Sequence, residues 1–436
     1  MLTKEEAKKI IDKVLAYSKA DEMSVQFTGT RTGNIRFARN TVSTTGETEN
    51  LSLSITAVLG KKVGTSTINE FDDESLEKAV RRAEEIAHLA PENPEYVSML
   101  GPQTYQQTTG FVESTAEMGP RKRALLAVDS IKPISENKLS GAGFLEDSAR
   151  FEALGNSKGL FGYNRETSVN FSVTVRTEDG TGSGYGSADF NDVSILDTRT
   201  ATNIAIQKAI ASQNARAVEP GKYTVILEPL AGGELVQFMI RSMEARTADE
   251  GRSFLSKKGG GVRLGEKLLD ERVTIYSDPM DSEIPGSPFS EEGVPYGKVY
   301  WFDKGVVKNM VYSRYWAQQK NVSPLALPGG FTMLGGEDSL ADMIAGTEKG
   351  ILVTRFWYTR WLDPQTQLYT GLTRDGTFYI EDGKIKYPVK NFRFNESPVI
   401  MLNNLEALGK PVRVRGNMVP PMKIRDFTFS SLSDAV

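Results

Sequence analysis

No cysteine occurs anywhere in this chain of 436 residues, and histidine occurs once, at His88. The fold has neither disulfides nor cysteine-bound zinc to staple it, so buried apolar surface must hold it together. The length supplies that surface: it is about three times a common single domain, which leads us to expect two or three domains. The same two counts remove thiolate nucleophiles and iron–sulfur clusters. They also deny a conventional zinc enzyme its two or three imidazoles and leave a Ser-His-Asp hydrolase a single candidate base. Basic and acidic side chains number 52 and 56, a net charge of −4, so no positive excess favours a phosphate backbone. Lys4, Glu5 and Glu6 interrupt the start, and no uncharged apolar run approaches the roughly 18 residues of a spanning helix. The expected location is cytoplasmic, with no membrane contact and no direct nucleic-acid contact.

The pattern along the chain predicts an α+β fold. Thr3 and Glu6 make a capping-box pair ahead of Ile10, Ile11, Val14 and Leu15 at helical spacing, so residues 3–20 read as a helix. From Met23 to Thr67 the period changes to two, as in the run 51–58, with turns at 32–34 and 60–61, the signature of antiparallel strands. A second amphipathic helix is predicted over residues 73–89. Pro91, Pro94 and Pro102 punctuate a boundary, giving an N-terminal helix–antiparallel sheet unit over 1–100. A middle α/β region over 101–220 follows, with helices near 119–131 and 195–214, strands around 150–154 and 168–176, and a turn at 178–180. The remainder, 221–436, reads as a β-rich domain with one helix over 234–248.

Several stretches invite a chemical reading. Gly180, Gly182, Gly184 and Gly186 suggest a phosphate cradle, but Tyr185 falls where a dinucleotide fingerprint needs glycine, and strand pattern lies on both sides; a structural hairpin is expected. Asp278, Asp281, Glu283, Glu291 and Glu292 lack the spacing of a calcium loop and read as a solvated face. The run 257–263, with Lys257, Lys258, three glycines and Arg263, reads as a surface loop. Residues 355–361 alternate as a strand with Trp357 and Trp361 on one side and Phe356 and Tyr358 on the other. Burial of both faces is expected, one in a core and one against a partner.

The C-terminal half, with Thr370–Phe378, Ile380–Ile385 and Pro388–Asn395, resembles the TldD/PmbA family, the TldE/PmbA branch above all. Asn156–Leu160, Gly221–Val225, Ser253–Leu255 and Val419–Phe427 extend the likeness over most of the chain. The resemblance implies a metallopeptidase family, also named for modulation of DNA gyrase, in which a TldD subunit pairs with TldE to cut unfolded peptides. TldD carries His-Glu-x-x-x-His on a helix, and those three positions fall here on Val236, Gln237 and Arg241. Valine has no lone pair, the glutamine amide is no base near neutral pH, and arginine stays cationic and repels a dication. Leu408 stands near the place of the family's C-terminal cysteine ligand. The implied function is a non-catalytic TldE/PmbA-like subunit, with no cofactor in this chain and zinc in a TldD-like partner, assembled as a heterodimer or as a homodimer. The alternatives are an active peptidase or other hydrolase with an unrecognised site, in which Asp375 would act, and a gyrase-associated regulatory protein. Candidates for a peptide channel or interface are Arg241, Trp357, Arg360, Arg374 and Asp375. Arg241 and Glu244 are also spaced to pair along one helix.

Overall fold

The computed structural model describes residues 1–433. The local signals at the start act as read. Thr3 caps α1 (Lys4–Tyr17), its hydroxyl accepting from the Glu6 N–H at 3.2 Å while the Glu6 carboxylate accepts from the Thr3 N–H at 2.8 Å. Three strands follow, β1 (Glu22–Ala38), β2 (Thr41–Leu59) and β3 (Lys62–Ile68). Two-residue turns join them. Arg39 and Asn40 adopt positive φ in the first and Gly60 in the second, which suits the twist of antiparallel neighbours. Asp72 then caps α2 (Asp73–Leu89), accepting from the Ser75 N–H.

Within residues 90–102, the proline-marked boundary, residues 96–99 are pinned to β1. Glu22 accepts from the Tyr96 and Ser98 hydroxyls at 2.5 Å each, from the Met99 N–H at 2.7 Å and from Lys158 at 2.8 Å. Burial disfavours the Glu22 charge, but these donors outweigh it and hold the carboxyl at about 2.

Next come α3 (Glu113–Ala116), α4 (Pro120–Glu136), β4 (Ser140–Asn156), β5 (Phe161–Arg176), β6 (Ser183–Phe190) and α5 (Thr198–Ala211). The strands form a single antiparallel sheet in the order β3-β2-β1-β4-β5-β6. β1 pairs with β4 from Ser24↔Asn156 to Ala38↔Ala142, so the regions expected as 1–100 and 101–220 both contribute to this sheet. Alternation gives it one apolar face. Val25 and Phe27 lie in the core under α1 and α2, while Ile35 and Phe37 lie in the core with α4 and α5.

The C-terminal region opens with β7 (Lys222–Leu227), α6 (Pro229–Arg241) and α7 (Ala245–Asp249). The single helix predicted over 234–248 is therefore two. The chain breaks at Ser242, whose hydroxyl turns back to the Phe238 carbonyl, and Glu244 caps α7 by accepting from the Thr247 N–H at 3.0 Å. The expected Arg241–Glu244 pair is absent among the described residues because Glu244 serves as that cap. Beyond α7, strands 349–363, β7, 422–432, 392–396 and 368–381 pair in succession. The first also pairs with the last, closing a five-stranded ring. A second, six-stranded sheet of short strands packs beside it, and Trp301 and Phe302 are fully buried in the shared core.

Candidate functional site

α6 carries Val236, Gln237 and Arg241, the three positions that the sequence resemblance sets against His-Glu-x-x-x-His. Val236 is 0% exposed in the largest apolar core, Gln237 is half-buried, and the neighbouring Phe238 ring stacks on Tyr369 with centroids 4.9 Å apart. Arg241 is exposed at the helix end, and among the described residues no hydrogen bond or ion pair links it to the other four candidates. Nowhere in residues 1–433 do three His, Cys, Asp or Glu side chains gather as a metal-binding group. An apolar core residue and an exposed guanidinium do not fit a hydrolytic zinc ion. The acidic residues 278–292 make no such group either, and the glycines at 259–261 form an open turn beside a Lys257–Glu266 ion pair at 2.6 Å.

Three candidates do come together. In the hairpin of strands 349–363 and 368–381, Val353 pairs with Thr377 but Arg355 pairs with Arg374, so Asp375 and Gly376 face one residue of the partner strand. This bulge sets Asp375 at φ 55° and Gly376 at φ 122°. A Cβ at Gly376 would come within 2.9 Å of both the Thr354 hydroxyl and the Phe378 ring, so the position demands glycine twice over. The bulge turns Asp375 inward, where it is 2% exposed. One oxygen accepts from the Ser183 hydroxyl of β6 at 2.5 Å and the other from Arg355 Nε at 2.6 Å. Arg355 lies 4.2 Å above the Tyr185 ring, and Arg374 lies 4.5 Å above Trp357. Burial lowers the Arg374 pKa, and nearby Arg355 and Arg176 add to that against the Asp375 charge.

The arrangement ties the edge of the first sheet to the C-terminal ring. A cavity of about 250 Å³ opens beside it, lined by Ser183, Ser212, Asp375, Thr377 and Asn391 among others. Both carboxylate oxygens already accept strong hydrogen bonds, so the geometry suits a latch better than a general base.

Sequence reasoning overlooked why glycine alternates at 182, 184 and 186. α5 lies directly across β6, and a Cβ at those positions would collide with the carbonyl oxygens of Ala209, Ala205 and Ala201 respectively. The signal was present as glycine at every second position, Gly182 just before β6 and Gly184 and Gly186 within it, facing an alanine row at i, i+4, i+8.

The aromatic strand departs from the two-sided burial expected of it. Phe356 is buried, but Trp357, Tyr358 and Trp361 are 38%, 62% and 56% exposed. Tyr358 has φ 56° and the register slips between Trp357 and Arg360, so strict alternation ends there. Arg360 sits 5.3 Å above the Tyr358 ring. The result is an exposed aromatic–arginine arm whose base is the Arg355–Asp375 latch.

Compared with known proteins, the chain matches PmbA/TldA metallopeptidase domain 1 over residues 24–87, the central domain over 121–213 and the C-terminal domain over 220–431. It is 23% identical over 283 residues to a metalloprotease of Methanothermobacter thermautotrophicus, a stretch spanning 59% of this chain and 60% of that protein, under two thirds of its length. TldE from Thermococcus kodakarensis superposes with a TM-score of 0.87 at 18% identity, over 97% of this chain and 99% of that one. A Thermotoga maritima protein described as a modulator of DNA gyrase gives 0.87 at 16% identity, over 97% and 100%. At these identities the structural likeness concerns the fold alone.

Proposed function

This chain belongs to the PmbA/TldD family, and we propose that within it the chain is a non-catalytic, TldE/PmbA-like subunit of a peptidase that acts on unfolded peptides. The observation carrying this reading is the chemistry of α6. Where a metallopeptidase helix of this family supplies histidine, glutamate and histidine, this helix has Val236 in the core, a neutral Gln237 and an exposed Arg241. The catalytic zinc then belongs to a TldD-like partner, and this chain contributes surface. The exposed arm with Trp357, Tyr358, Arg360 and Trp361 supplies aromatic and arginine side chains, the types enriched where association energy concentrates. The net charge of −4 supports a protein partner over direct contact with nucleic acid.

The test is reconstitution. Mixing the purified chain with a His-Glu-x-x-x-His member of the family and zinc should yield peptidase activity on an unfolded substrate, while the chain alone should hydrolyse nothing. Zinc-dependent cleavage by the isolated, homogeneous chain would overturn the proposal.

A further inference from the structure

The outer half of β2 carries an unpaired sheet edge. β3 covers β2 only from Leu53 to Leu59, and past Ile68 the chain leaves for α2. Residues 41–50 are exposed apart from half-buried Gly46. Among the described residues no backbone hydrogen bond reaches the outer side of residues 41–51. The two-residue turn at Gly60 and Lys61 makes Leu59 bond toward β3, and the ladder then alternates along the strand. Counting back, Thr45, Glu47, Glu49 and Leu51 aim their N–H and C=O groups away from β1. A straight row of four unsatisfied residues is a template for an added strand.

Charge decides which strand fits. Between Thr41 and Leu59 the only ionisable side chains are Glu47 and Glu49, which share one face. Glu47 meets Arg123 at 2.6 Å and Glu49 meets the terminal amino group at 3.5 Å, yet both side chains stay 53% and 55% exposed. A second copy pairing antiparallel through the full row would set Glu47 opposite Glu49, and a shift of two residues would set Glu47 opposite Glu47. Both put like charges face to face. Registers that avoid this run either into the bulge at Ser43, where the β1–β2 ladder slips between Arg36 and Phe37, or into Leu53, which β3 already covers. An extended basic segment meets no such penalty.

We propose that the edge of residues 45–51 binds an extended peptide by strand addition, with preference for lysine or arginine at two positions two residues apart, opposite Glu47 and Glu49. Main-chain bonds give the affinity and the period-two charges give the selectivity.

The test uses the full chain and a fluorescein-labelled Thr/Val heptapeptide with lysines at its third and fifth positions, read by anisotropy at low salt. It should bind about tenfold or more tighter than three controls: lysines made adjacent, lysines replaced by glutamate, and the backbone N-methylated along the pairing edge. The pair Glu47→Gln and Glu49→Gln should lose about tenfold for the lysine peptide while keeping the far-UV circular dichroism of the parent. Equal binding by the adjacent-lysine or N-methylated peptide would overturn the proposal. So would a chain that doubles its 48.0 kDa mass and reverts on Glu49→Pro, which an edge position tolerates while losing its outward N–H and its charge, because the edge would then belong to a second copy. Neither readout involves zinc or peptide hydrolysis, so the result stands apart from the proposed subunit role.

Discussion

Replacing Asp375 by asparagine isolates the latch. Asparagine keeps the shape, the acceptor for Ser183 and a tolerance for the left-handed backbone at φ 55°, and replaces the charged oxygen that accepts from Arg355 with a neutral NH2 group. The two side chains are 0% and 9% exposed, so the variant leaves a guanidinium buried without its carboxylate. Removing one partner of a buried ion pair costs about 3–5 kcal/mol. The Tyr185 and Trp357 rings, 4.2 and 5.2 Å from the guanidinium, still shelter the cation and place the expectation near the lower end, about 3 kcal/mol. Urea unfolding followed by tryptophan fluorescence measures it, with the slope of the transition unchanged. Arg355→Met alone should cost a similar amount, and the double variant should cost less than the two singles together by roughly 3 kcal/mol, because neither member of the Arg355–Asp375 pair is then left buried without the other. A single-variant loss below about 1 kcal/mol would refute the buried-pair reasoning. If Asp375→Asn instead abolished hydrolysis by the isolated chain at an unchanged unfolding midpoint, the carboxylate would be catalytic.

Gly184→Ala drives a methyl group into the α5 backbone at Ala205, with no flexible side chain to give way, and should destabilise by about 1–3 kcal/mol or more; a wild-type unfolding midpoint would contradict the packing of α5 on β6. Glu22 titrates below its ordinary value of 4.5, at about 2, so its stabilisation is complete above pH 4.5 and lost as the pH falls toward 2. The loss should reach roughly 3 kcal/mol. Glu22→Gln should flatten that part of the stability–pH curve, and an unchanged acid limb would show that the clamp on residues 96–99 does not titrate.

What was legible in the sequence was what is local. The cap at Thr3 and the apolar period of α1 and α2 involve residues within one or two turns, so α2 falls where predicted and α1 starts where predicted, ending at Tyr17 instead of near residue 20. The α6–α7 break was hidden because the apolar spacing of Met239, Ile240 and Met243 runs on through it, while the deciding bonds come from Ser242 and Glu244. Alternation revealed strand character over 23–67, but the turn expected at 32–34 lies inside β1 and the chain turns at Arg39 and Asn40 instead; nor did it show that β1 would pair with β4, across a stretch of more than a hundred residues. Asp375 was singled out, but its partner Ser183 is 192 positions away, and the bulge that turns it inward depends on the opposing strand. The exposed aromatics were misread for the same reason: the slip in register near Tyr358 is a property of the pair of strands.

The arm and the latch share Trp357, which separates association from stability. Its ring meets Arg374 at 4.5 Å and Arg355 at 5.2 Å, while it is also 38% exposed and T-shaped against Tyr358 at 5.4 Å. Tyr358 is 62% exposed, and its ring meets the edge of Trp357 and hydrogen-bonds neither Asp375 nor Arg355 among the described residues. If the arm is the face that meets a TldD-like partner, Tyr358→Asn should weaken that association by about 2 kcal/mol, roughly thirtyfold. It should leave the urea midpoint of the isolated chain unchanged, since asparagine accepts the φ of 56° at Tyr358. Trp357→Ser should weaken association as well and also lower the stability of the isolated chain by roughly 1–2 kcal/mol, because two cation–ring contacts over a buried ion pair are lost. Partner binding is linked to folding, so saturating partner should raise the wild-type midpoint and raise the Tyr358→Asn midpoint far less at equal concentration. Equal stabilisation of both by the partner would place the association face elsewhere on the molecule and leave the arm's exposed rings without that role.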